Sequence, residues 1–129
     1  VRLLPATNAI DARLAACSAV VVPSRYEASG LVATEARMAG RPVLVADIDG
    51  LPEQVRSGGG VAAPMRNAAE IACAIIRLKG ADLPAMGRAA RAGVIQQHDE
   101  IITGWQAVLR RAEPLRKKAG VQPAMAAGA

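Results

Sequence analysis

The sequence predicts an α/β protein built on a parallel sheet of about three strands with flanking helices, and three observations lead there. Two short runs, Ala19-Val20-Val21-Val22-Pro23 and Pro42-Val43-Leu44-Val45-Ala46, are apolar with no alternation. A strand buried on both faces reads this way, and such strands belong to parallel sheets covered by their crossover helices. Segments with apolar residues at three- and four-residue spacing follow these runs, as amphipathic helices require. The composition agrees: 52% of the 129 residues are hydrophobic but only 2% aromatic, with no Phe, so the core has to be Val, Leu, Ile and Ala. A chain of this length is ordinarily one domain with a core of useful size.

Each element can be placed in order. Asn8 or Asp11 can cap a first helix with Ile10, Leu14 and Cys17 on one face. Ala19 to Pro23 is the first strand, Ser24 to Ser29 a strand-to-helix loop, and Gly30 to Ala39 a helix that Gly40 closes. Pro42 to Ala46 is the second strand, Asp47 to Gly50 a turn formed by short acidic side chains, and Leu51 to Arg56 a short helix. A glycine-rich break, Ser57 to Gly60, leads to a weak third strand at Val61 to Ala63. Asn67 then caps a helix with Ile71, Ala72, Ile75 and Leu78 on its apolar face, ended by Gly80. Two further helices are predicted over Leu83 to Gln97 and Ile101 to Ala112, with Trp105 as a core anchor beside Val108 and Leu109 and with His98 at their junction in a capping or surface role.

The first strand is too apolar to stand at the edge of a sheet, and no earlier stretch offers it a partner. Residues 1–113 are therefore expected to be the back part of a larger Rossmann-like domain, and residues 114–129 a basic, then low-complexity, disordered tail.

The formal charge is +5, and the excess gathers at Arg88/Arg91 and in Arg110, Arg111, Arg116, Lys117 and Lys118. Without aromatic residues interleaved for base stacking, a nucleic-acid partner is not expected; the clusters read as solvated helix faces, with peripheral contact to an anionic membrane surface as the further use they suit. No apolar run reaches the ~20 residues of a membrane span, and the opening VRLLPATNAIDAR has no signal-peptide pattern, so the expected location is cytoplasmic. Cys17 and Cys73 have neither metal-ligand nor disulfide spacing and are expected as buried thiols; no metal or other cofactor is expected.

Chemistry concentrates between Pro23 and Val55. Ligands of open parallel sheets sit at the carboxyl ends of the strands, where the loop Pro23 to Ser29 lies. With Ser29 as N-cap, the amides of Gly30, Leu31 and Val32 point out of the helix and suit an anion such as a diphosphate, which Gly30 lets approach closely. Glu27 precedes those amides, and Glu35 follows about five residues along the helix, ~7 Å up its axis, on the face of Leu31 and Met38. Carboxylates would repel a phosphate they touched, but each accepts two hydroxyl donors and so suits a sugar diol. A ligand with a sugar at each end of a diphosphate, a nucleoside-diphosphate sugar, satisfies the pattern. The plainer reading makes Glu35 a helix-dipole partner and Glu27 a loop charge.

The order PS-x-x-E-x-x-GL-x-x-x-E-A-x-x-x-G-x-PV, continued by DGLPE and a glycine-rich turn, resembles the donor-binding half of the family 4 (group 1) glycosyltransferases of the GT-B fold, over roughly Ile10 to Ala112. The resemblance implies that Glu27 lies by the donor sugar hydroxyls in a catalytic position, that Glu35 holds the ribose, that the amides from Gly30 to Val32 meet the diphosphate, and that transfer retains anomeric configuration without a required metal. Glu53 has a site role by family position only. Two departures stand out. Ser29 replaces the aromatic usual before the glycine, and neither an N-terminal acceptor domain nor the family's early basic pair is present. Arg25 and Arg41 are expected at the surface rather than in that role. The chain alone is therefore expected to transfer little or no sugar. The alternative is a non-catalytic nucleotide-binding or partner-docking module; a sugar-nucleotide epimerase finds no acid/base candidate here.

Overall fold

In a computed structural model, residues 2–118 are described. They fall into two compact units, Val1–Ile95 and Gln96–Ala129. The first holds a three-stranded parallel sheet in the order β1 (Val20–Val22), β2 (Val43–Ala46), β3 (Gly60–Ala63). Val20 pairs with Val43 and Val22 with Val45; Val43 then pairs with Gly60 and Ala46 with Ala63. The predicted open α/β sheet is thus present.

Only the central strand is wholly buried. Val43, Leu44 and Val45 are inaccessible, whereas Val20, Val21, Val61 and Ala62 at the edges are half-buried. Each fully buried Leu or Val removes enough apolar surface from water to stabilise the fold by roughly 1.5–3 kcal/mol, so β2 with Leu51 is the energetic centre. Among the described residues β1 has a neighbour on one side only, so a strand whose uniformly apolar sequence calls for two neighbours stands at the edge.

Helix α1 (Ile10–Ala15) buries Leu14, and neither Asn8 nor Asp11 caps it. Arg41, expected at the surface, is half-buried instead; its Nη2 donates to the Ala15 carbonyl at 2.7 Å and ties the end of α1 to the start of β2. Helix α2 (Leu31–Met38) buries Ala33, Ala36 and Arg37 and exposes Leu31, Val32, Glu35 and Met38. Leu51–Val55 is a 3₁₀ turn. Helix α3 (Ala68–Lys79) starts at the predicted cap, with Asn67 Oδ1 accepting the Glu70 amide hydrogen at 3.0 Å, and ends at Gly80. Its packed face is Ile71, Ala74 and Leu78, while Ala72 and Ile75 look outward. Cys73 lies beside that face and is exposed, as is Cys17, so the expectation of buried thiols fails for both.

The two predicted C-terminal helices are one, α4 (Leu83–Lys118). Between Gln97 and Ile101 stand only His98, Asp99 and Glu100, none of which breaks a helix. His98 is accordingly an exposed mid-helix residue. In the first unit α4 lies almost on the backbone of its neighbours: a Cβ on Gly87 would overlap the Gly40 carbonyl, and one on Gly59 would overlap the backbone of Ala90. Trp105 belongs to the second unit, and at 62% exposure it is no core anchor, because that unit offers it nothing but its own helix among the described residues. Residues 114–118, predicted as the start of a tail, continue the helix; the expected disorder of Gln122 to Ala129 lies outside the described residues. No helix among the described residues is long and apolar enough to cross a membrane.

Candidate functional site

The loop that leaves β1 is held from three directions, and these contacts define the site. The Glu27 backbone N–H donates to Asp49 Oδ2 at 3.2 Å, and the Ser29 carbonyl accepts from Gln54 Nε2 at 3.1 Å. Between them the Ala28 carbonyl abuts Gly50, at 3.4 Å from where a Cβ would stand. The segment after β2, Asp47 to Gln54, is therefore the scaffold on which the Glu27 loop rests. Asp49 has φ of 45°, a left-handed conformation that costs an L residue of order 1–3 kcal/mol. A strained residue at the end of a strand, clamping the backbone of a candidate site residue, fits a site whose geometry outweighs its local cost.

Helix α2 begins one residue later than predicted. Gly30, not Ser29, is the N-cap, with φ 68° and ψ 45°, and no side chain caps the first turn. A Cβ on Gly30 would stand 2.8 Å from Leu51 Cδ2, so glycine is required there by conformation and by space. The Ser29 side chain, one residue before the N-cap, makes no cap bond, and the Ser29 carbonyl accepts from Gln54.

Glu27 is half-buried and faces the helix start. Its Oε1 accepts the Gly30 amide hydrogen at 3.1 Å, and its Oε2 accepts from Ser24 Oγ at 3.5 Å. The amides of Leu31 and Val32, the next two in the turn, are left without a side-chain acceptor. A negative group is favoured there by the helix dipole and the orphan donors, and Glu27 already takes up the first of them. Glu35 lies further along the same helix, exposed and free of side-chain bonds among the described residues. The structure thus brings Glu27 and Gly30 into contact and leaves Leu31, Val32 and Glu35 open beside them.

A cavity of about 540 Å³ opens at the carboxyl ends of all three strands, lined in part by Ser24, Arg25, Asp47, Ile48, Met65 and Arg66. This is the face on which open α/β sheets carry ligands. Arg25 is exposed at its rim. Arg66 is engaged elsewhere, its Nη2 2.7 Å from Glu70 Oε1. Glu53 is exposed and makes only a 3.8 Å pairing with Arg56. Among the described residues no group of three or more His, Cys, Asp or Glu is placed to hold a metal ion.

Three residues that shape the site escaped sequence reasoning: Asp49, Gln54 and Arg37. Asp49 reads as an ordinary turn former, and its partner is 22 positions away. Arg37 stands four positions after Ala33, on the small-residue face of α2 that the structure buries, but an arginine there reads from sequence as a solvated charge.

The chain was compared with known proteins. The family described as Glycosyl transferases group 1 matches residues 1–91. A D-inositol 3-phosphate glycosyltransferase from Streptomyces bingchenggensis is 45% identical over 64 residues, 49% of this chain and 14% of that protein. D-inositol 3-phosphate glycosyltransferase 1 from Catenulispora acidiphila is 45% identical over 82 residues, 63% of this chain and 19% of that protein. Among solved structures, sucrose-phosphate synthase from Thermosynechococcus elongatus superposes with a TM-score of 0.61 at 30% identity, over 85% of this chain and 27% of that one. The chain thus spans between about a seventh and about a quarter of the length of these proteins.

Proposed function

The chain belongs to the group 1 glycosyl transferases, and on that premise we propose that it forms the donor side of a retaining transferase that uses a nucleoside-diphosphate sugar. The observation that carries the reading is the start of α2 at the carboxyl end of β1. Its Leu31 and Val32 amides lack side-chain acceptors, Glu27 stands at one side of them, and Glu35 stands exposed on the same helix. In this reading the diphosphate meets the Leu31 and Val32 amides, Glu35 accepts the ribose hydroxyls, and Glu27 accepts hydroxyls of the donor sugar. Oriented amides that stabilise the charge on a departing diphosphate supply the electrostatic part of catalysis at no reorganisation cost. Glu27 also keeps the first donor occupied until a ligand arrives, which avoids an unpaired amide in a half-buried position.

The open outer edge of β1 supports a second element of the proposal, that further strands complete this sheet and that an acceptor domain completes the site. The 129-residue chain by itself is then expected to transfer little or no sugar. A non-catalytic nucleotide-binding module is the competing reading, and the same open edge would serve it.

Calorimetric titration of the native protein with uridine, guanosine and adenosine diphosphates, alone and as sugar conjugates, tests the donor class. Binding of at least one that weakens tenfold or more in Glu35→Ala is the expected result, as loss of a carboxylate hydrogen-bonded to a diol predicts. Unchanged affinity in Glu35→Ala removes the ribose assignment. The anomeric configuration of the product, read by NMR, tests retention. Binding without turnover, persisting when an acceptor domain is supplied, favours the non-catalytic module.

A further inference from the structure

We infer that Arg37 is a positioning residue for the Glu27 loop, acting through the side-chain amide of Gln54 on the peptide between Ser29 and Gly30. Arg37 is 2% exposed on the packed face of α2. Nη1 donates to Gln54 Oε1 at 2.7 Å and Nη2 to Ser57 Oγ at 3.4 Å, while Nε has no partner. No carboxylate pairs with it among the described residues. Burial without a counter-charge opposes folding and holds the guanidinium below its ordinary pKa. Packing therefore gives no reason for an arginine in line with Ala33 and Ala36.

What Arg37 supplies is direction. A glutamine amide has a donor end and an acceptor end of nearly the same shape, and its neighbours decide which way it points. Thr34 Oγ1 lies 3.2 Å from Gln54 Oε1, but a hydroxyl serves either end of an amide. A guanidinium only donates, so Oε1 must face Arg37 and Nε2 must face the other way. There Nε2 meets the Ser29 carbonyl at 3.1 Å. The Ser29–Gly30 peptide is thereby held at both ends, its carbonyl by Gln54 and its N–H by Glu27 Oε1. Ser57 gives Arg37 its second anchor, and α4 closes over the pair at Gly93, where a Cβ would overlap the Ser57 hydroxyl and stand 3.1 Å from Arg37 Nη2.

The consequence for donor binding rests on the reading proposed above; the positioning itself does not. Residue-resolved amide exchange on the full chain separates the two, with Arg37→Met, Gln54→Leu and Gln54→Glu as variants. Gln54→Glu keeps a partner for Arg37 and makes it a better one, yet loses the donor to Ser29, so it isolates the relay even if Arg37→Met fails to fold. Gly30 amide exchange is expected to rise about fivefold or more in each folded variant, the effect of losing one hydrogen bond's net contribution. The Val43 and Asp47 amides, bonded to the Gly59 and Ala63 carbonyls, should stay within about twofold of wild type. A Gly30 rate unchanged in Gln54→Glu overturns the relay, and so does equal acceleration at Val43 and Asp47, which would make the contact merely structural. Titration with uridine, guanosine and adenosine diphosphates completes the test. If no diphosphate binds the wild type but Gly30 responds as expected, the relay stands and the donor reading falls.

Discussion

The carboxylate of Glu27 accepts the amide hydrogen of Gly30 at 3.1 Å, so the residue expected to face a sugar also holds the first donor of the helix start expected to face a diphosphate. The two tasks draw on the same carboxylate. In the free protein Glu27 stands in for an anion, and a ligand that reaches the Leu31 and Val32 amides does so beside a negative charge.

Replacing Glu27 separates those tasks. Glu27→Ala should cost about 0.5–1.5 kcal/mol of stability in urea unfolding, the usual net effect of losing one hydrogen bond, while Glu27→Gln should cost less because an amide oxygen still accepts from Gly30. Inorganic pyrophosphate should bind Glu27→Gln at least as tightly as wild type by calorimetry, since one like charge has left the site. On the proposed role of Glu27, Glu27→Ala should abolish any sugar transfer measured for the protein together with its proposed acceptor side.

Gly30 tolerates no side chain. Gly30→Ala places a Cβ 2.8 Å from Leu51 Cδ2 in a residue with φ of 68°, and a loss of about 1–3 kcal/mol is expected in the urea midpoint. Gly58 has φ of 82° but open space around its Cβ position, so Gly58→Ala should cost only the conformational part, about 1 kcal/mol.

Asp49 combines strain with a useful contact. Asp49→Ala keeps the left-handed conformation and loses the acceptor for the Glu27 amide; Asp49→Gly loses the acceptor but relieves the strain. Asp49→Ala should therefore be the less stable of the two by about 1 kcal/mol in thermal or urea unfolding. Equal stabilities would show that the φ of Asp49 carries no strain.

The start of α3 should respond to acid. Hydrogen bonds from the Arg66 side chain, then from its backbone, hold the Glu70 carboxyl below its ordinary value of 4.5. A carboxyl with a lower pKa folded than unfolded contributes stability above the unfolded value and loses it as pH falls through the folded one. Wild type should exceed Glu70→Gln in urea midpoint at about pH 7 and lose that margin by about pH 3. Because Arg66 is exposed and Glu70 only half-buried, added salt should shrink the margin at neutral pH.

Much of the fold could be read from local pattern. The two apolar runs became β1 and β2, and Asn67 caps α3 as predicted. These features depend on residues within a few positions of one another, and sequence displays that directly. The break predicted near Gln97 was absent because nothing local enforces it, and Trp105 was misplaced because an apolar stripe shows only that a surface seeks cover, not that cover is present. The cysteines erred for a similar reason: their usual burial is a tendency of the residue type, whereas Cys73 sits just off the packed face of α3 and Cys17 lies in the segment between α1 and β1.

The residue order alone settled that the chain is a parallel α/β unit with a glycine-opened helix start behind its first strand, because strand burial, capping and glycine spacing are short-range effects. It also displayed Glu27 and Glu35 at their interval. Only the tertiary structure decided what holds them. Gln54 and Arg37 are 17 positions apart, Ser29 and Gln54 25, and Glu27 and Asp49 22. Those contacts exist because β1 and β2 lie side by side and bring the loops at their ends together, and hydrogen-bond direction across such a gap is set by the folded backbone rather than by any local preference.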